Sequence, residues 1–103
     1  IESNDSQTPD DSSTLSIQTD LPTYQKGDII SISGKSNTSG KITLSIENQD
    51  DQLVWSEQIY VKSDGQFSTL AIAGGPGWDK SGTFKIKVEN DLETTSKIFS
   101  FMI

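Results

Sequence analysis

The side chains of this 103-residue chain best placed for chemistry are Asn48, Asp50 and Asp51, three oxygen donors within four positions, and the chemistry they suit is coordination of a hard cation. Calcium needs only oxygens, and Asp64 or Asp79 could add a ligand from elsewhere in the fold. No Glu stands at the offset of an EF-hand's bidentate ligand, and Asn and Asp are equally at home as plain turn formers. The chain has no His and no Cys, which argues against zinc, copper and iron. The same lack removes the commonest general base and the thiol nucleophile. Paired carboxylates remain at Asp50–Asp51 and Asp10–Asp11, but neighbouring acids in a turn both reach water, and glycoside hydrolysis needs two carboxyls held across a cleft. The expectation is a protein that is not an enzyme and has no cofactor, calcium being the one possible ligand ion.

Three further features have two readings each. Gly74-Gly75-Pro76-Gly77 has the glycines of a phosphate cradle but lacks a following Lys-Ser/Thr pair and a helix N-terminus, so tight turns account for it better. Trp55, Trp78, Tyr24 and Tyr60 could form an aromatic platform for a sugar, or cover the ends of a thin core, given the area each ring buries. Asn4-Asp5-Ser6 and Asn37-Thr38-Ser39 are glycosylation sequons, making Asn4 and Asn37 the candidate acceptors on an exported chain.

The elements that must carry these residues are strands. Alternating apolar runs at Leu15/Ile17, Ile30/Ile32, Ile42/Leu44/Ile46, Ile59/Val61, Leu70/Ile72, Phe84/Ile86/Val88 and Phe99/Phe101/Ile103 repeat between turn residues. Period two marks half-buried strands, and seven at this spacing predict an all-β sandwich with no helix. The spacing predicts strands over 15–19, 29–33, 41–47, 53–62, 66–73, 83–89 and 95–103, with a bulge near Ser56 in the fourth. Pro22 ends the first strand, because proline cannot donate to a ladder, and Ser63-Asp64-Gly65 is a hairpin turn. The expected core is Leu15, Ile17, Ile30, Ile32, Ile42, Leu44, Ile46, Ile59, Val61, Phe67, Leu70, Ile72, Phe84, Ile86, Val88, Phe99 and Phe101.

Hydrophobic residues make up only 31% of the chain, which suits a thin two-layer core better than a helical bundle. Fifteen acidic residues against eight lysines give a net charge of -7. Such a surface repels phosphate backbones and anionic lipid, and no run approaches the roughly 20 apolar residues of a membrane span. Neither nucleic acid nor a membrane is therefore an expected partner. Residues 1–14 carry four acids, no lysine and many Ser/Thr, a composition that cannot bury enough apolar surface to offset ordering entropy. The chain divides into an acidic Ser/Thr-rich N-terminal tail, 1–14, and a sandwich body, 15–103. A start on Ile1, with no basic or apolar leader, is what a mature exported chain or an excised fragment would show.

The stretches TDLPTYQKGDIISISG (19–34), SDGQFS (63–68), GGPGWDKSG (74–82) followed by TFKIKVEN, and the closing KIFSFMI together resemble the immunoglobulin-like repeat of archaeal cell-surface proteins. Such repeats are familiar in large surface-layer and adhesin-like proteins of ammonia-oxidising archaea, and are similar to macroglobulin-type sandwich domains. The resemblance covers almost all of 15–103. It implies a seven-stranded, Greek-key, immunoglobulin-like sandwich without catalytic residues, in which Tyr24 and Gly27 mark the turn into the second strand, Asp64 and Gly65 the hairpin, and Trp78 and Gly82 the turn before the penultimate strand. It also implies a secreted, cell-surface role as a building block of an S-layer or an extracellular filament, with identical subunits or adjacent modules as partners. A carbohydrate- or calcium-binding adhesion module of a larger secreted protein, with glycan as partner, is the alternative. The acidic tail departs from the pattern of a mid-chain repeat.

Overall fold

The computed structural model describes residues 15–103, and among them there are eight strands and no helix. The tail 1–14, with Asn4, Asp10 and Asp11, lies outside the described residues. The strands are β1 (Ser16–Thr19), β2 (Thr23–Gln25), β3 (Ile29–Lys35), β4 (Lys41–Glu47), β5 (Leu53–Tyr60), β6 (Gln66–Ile72), β7 (Gly82–Glu89) and β8 (Thr94–Met102). They form two sheets, one in the order β1-β3-β6 and one in the order β2-β8-β7-β4-β5. All pairings are antiparallel except β2 with β8.

The expected seven strands become eight because the chain changes sheets at Pro22. β1 pairs with β3, and the next residues pair with β8 in the other sheet, where Pro22 contributes only its carbonyl, accepting from the Ser100 N–H at 2.9 Å. Asp20 stitches this crossing. Its N–H donates to the Ser31 carbonyl and its carboxylate accepts from the Ser31 N–H, both at 3.1 Å. The Tyr24 hydroxyl donates to the same carboxylate, and accepts in turn from the Leu21 N–H at 2.9 Å.

The core lies between the sheets and is apolar along alternate positions, as period two requires. Ile30, Ile32, Ile42, Leu44, Ile46, Phe84, Ile86, Val88, Phe99 and Phe101 are all buried. At one end the aromatic side chains pack together. Trp78 stacks on Phe84 with ring centroids 4.5 Å apart and meets Phe101 edge-on at 5.0 Å, while Tyr24 meets Phe99 edge-on at 5.5 Å. On the solvent face of the larger sheet, Glu47 of β4 lies between Lys85 and Lys87 of β7, at 3.8 and 3.7 Å.

Three expectations are corrected. Leu70 and Ile72 are not core residues but stand 61% and 64% exposed, and Ala71 and Ala73 take the inward positions. Phe67 decides this. Its ring lies over Gly34, where a Cβ would stand 2.5 Å from the ring, and with no bulge in the register between β3 and β6 every odd position of β6 follows Phe67 inward. Ile59 and Val61 are only partly buried, at the open side of the sandwich. The bulge in β5 falls at Val54 rather than near Ser56, since Ile46 pairs with Trp55 and Glu47 with Leu53, so β5 is one continuous strand.

Candidate functional site

Asn48 is buried at the tip of the β4–β5 hairpin and organises it. Its Oδ1 accepts from the N–H groups of Asp50 and Gln52 at 2.9 and 3.0 Å. Its Nδ2 donates to the Gly77 carbonyl at 2.9 Å and to Gln52 Oε1 at 3.1 Å, which ties the hairpin to the glycine-rich loop. That contact explains a glycine at 77, where a Cβ would fall 2.3 Å from Val54 Cγ1. Asp51 closes the hairpin in left-handed backbone, with φ of 62°, a conformation Asp adopts more readily than most residues.

The calcium candidates therefore share one hairpin but do not point at one spot. The Asn48 oxygen is taken up by two N–H donors. The Asp50 carboxylate faces Lys80 at 3.5 Å, both side chains being well exposed, a pair worth at most about 1 kcal/mol. Asp64 accepts from the Gln66 N–H at 3.0 Å inside its own turn, and Asp79 is exposed. Among the described residues no group of three or more acidic or histidine side chains converges. A cation on this hairpin would have to take Asp50 from Lys80 and recruit Asp51.

The four rings do not share a face. Trp78 and Tyr24 are buried in the aromatic end, Trp55 is half-buried beside Leu70 and Ile72, and Tyr60 is exposed. Tyr24 and Trp78 thus belong to the core and Trp55 packs against it, as the area of each ring favours. Gly74, Gly75 and Gly77 all have positive φ, and this loop ends in a strand, not a helix. Asn37 is exposed in the β3–β4 connection. Its neighbour Ser36 is buried, with Oγ accepting from the Thr38 N–H and from Asn90 Nδ2, both at 3.2 Å. The loop is anchored on either side of a side chain that reaches solvent.

The titratable pair at the β1–β2 crossing is a structural device. The Tyr24 hydroxyl, followed by backbone N–H donors, holds the Asp20 carboxyl below its ordinary value, so Asp20 is kept as an ionised acceptor rather than a proton donor. Burial, with the Asp20 carboxylate as the next cause, pushes the Tyr24 hydroxyl up.

A surface that the alternation of apolar residues does not reveal lies at the β5–β6 side. Ile29, Leu70, Ala71 and Ile72 line a groove of about 430 Å³ with Trp55. The available signal was parity, because a buried Phe67 in an unbroken strand sends Leu70 and Ile72 outward. Compared with known proteins, the chain matches no protein-family model, and no curated protein matches it.

Proposed function

We propose that this chain is a non-catalytic structural module of an archaeal cell surface, an immunoglobulin-like Greek-key sandwich that serves as a building block of an S-layer or extracellular filament and assembles through protein–protein contacts. The observation that carries the reading is where the residues behind the repeat resemblance lie. Tyr24 and Trp78 are core side chains, Gly27 and Gly65 take positive φ at turns, Asp64 caps its hairpin, and Gly82 opens β7. The resembling positions specify turns and packing, which is what a spacer or assembly unit needs from its sequence. The strand order supports the finer fold, since β1 and β2 divide the first strand between the sheets while β3–β4, β5–β6 and β6–β7 each cross the sandwich. The exposed Asn37 fits an exported, glycosylated surface.

The test is electron microscopy of natively purified material with calcium and with chelator. Regular filaments or sheets support the building-block role, and their loss in chelator would make Asp50 and Asp51 ligands. Dispersed monomers under both conditions overturn it.

A further inference from the structure

A sheet edge carries unpaired N–H and C=O groups, and proteins protect such edges by shortness, bulges, charge or proline. β1 and β2 are protected by length, at four and three residues. β5 carries the Val54 bulge, and its Glu57 points to the inner side of the sandwich, paired with Leu44 and accepting from the Thr69 hydroxyl of β6. β6 has none of these devices. It runs seven residues, QFSTLAI, in regular register with β3, without a charge or a proline.

The hydrogen bonds to β3 show which of its backbone groups are unused among the described residues. The Ala73 N–H donates to the Asp28 carbonyl and the Ala73 carbonyl accepts from the Gly27 N–H. At the other end the Gly65 carbonyl accepts from the Ser36 N–H. Odd positions therefore turn their backbone groups toward β3, and the alternation of an antiparallel ladder turns those of Ser68, Leu70 and Ile72 to the free edge. Among the described residues no strand pairs with that edge. The same three residues point their side chains to the solvent face, where Ile72 lies beside its cross-strand partner Ile29.

We propose that the β6 edge is a self-association surface, on which two copies of the chain pair β6 with β6 antiparallel about a two-fold axis through Leu70. In that register Leu70 faces Leu70, and Ser68 faces Ile72 in both directions, so every free group of the three residues finds a partner. The three-stranded sheets join into one continuous sheet, and both Ile29–Leu70–Ile72 surfaces come together on its solvent face over the seam. The occupant is a second copy because β6 is the longest unprotected edge among the described strands, and an edge that matches itself closes as an isologous dimer. Each chain carries -7 while β6 carries no charge, so association strengthens as salt screens the repulsion elsewhere. The proposal rests on the building-block reading for the identity of its partner. It is tested on the purified chain in solution, so its failure is separable from failure of the microscopy test.

Sedimentation velocity over a concentration series should show a monomer–dimer equilibrium that tightens with added salt. Leu70→Lys and Ile72→Lys should each weaken dimerisation at least about tenfold while leaving the melting temperature of the dilute protein in place. Hydrogen exchange supplies the second readout, with the Ser68, Leu70 and Ile72 amides protected in concentrated samples and exchanging freely when dilute. A monomer at every concentration overturns the proposal, and so does a dimer in which these amides exchange freely. Protection of the three amides independent of concentration also overturns it, since the edge would then be covered by the chain's own residues, 1–14 included.

Discussion

The two sides of this sandwich use the same kinds of side chain to opposite effect. At the aromatic end, Tyr24, Trp78, Phe84, Phe99 and Phe101 close on one another and Trp78 is 4% exposed. At the β5–β6 side, Trp55, Leu70, Ile72 and Ile29 line an open groove. The difference lies in what surrounds each set. The aromatic end receives a loop that folds over it, held by Asn48, whereas the β5–β6 side consists, among the described residues, of two strand edges bridged by a hydrogen bond between Thr69 and Glu57. Apolar residues are buried where another element can reach them, and an edge strand has no further strand beside it.

The contrast is tested most severely by cavities. Phe84→Ala or Ile86→Ala should each cost about 2 to 5 kcal/mol in chemical denaturation, because both are fully buried and a packed core collapses only partly around a deletion. Unchanged midpoints would overturn the assigned strand phase. Asn48→Ala should cost about 1 to 3 kcal/mol, since the half-buried Gly77 carbonyl and two turn N–H groups lose their partner. If thermal melts show no loss, the loop over the aromatic end is held by the rings alone.

Acid titration gives a smaller effect with a definite sign. Asp20 has its carboxyl lowered in the folded state, chiefly by the Tyr24 hydroxyl, so its contribution is present above the ordinary carboxyl range and disappears as pH falls through the folded value. Asp20→Asn should therefore flatten the fall in melting temperature between neutral and acid pH. Tyr24 has its hydroxyl raised above 10.0, so its contribution is present below that value and disappears as pH rises through the folded one; Tyr24→Phe should flatten the alkaline limb. The smallest change belongs to the open side, where Leu70→Ala and Ile72→Ala should each stay within about 0.5 kcal/mol in dilute protein. A loss as large as that of Phe84→Ala would mean that the groove is closed in solution.

Most strand positions were legible from the alternation, because an inward residue every second position is a local property. Ile42, Leu44 and Ile46 illustrate it, as do Phe84, Ile86 and Val88, which are buried as the pattern predicts. β6 was not legible in the same way. Its apolar residues fall on both parities, Phe67 on one and Leu70 and Ile72 on the other, and only the fit of Phe67 over Gly34 chooses between them. The Asn48 hairpin was visible as a turn, but not that its oxygen is taken up by backbone donors, since that depends on a loop closing after Asp51 and on Gly77 arriving from 29 positions away.

The sequence by itself determined the all-β class, the places where the chain turns and the relative facing of residues within each strand, because backbone geometry and turn chemistry act over a few positions. The tertiary structure decided which parity of β6 faces inward, how Pro22 divides the first strand between two sheets, which rings are covered, and which strands stand at the sheet edges among the described residues. Those outcomes depend on contacts between distant segments. A strand carries its own alternation, but which side becomes the core is set only when another sheet packs against it.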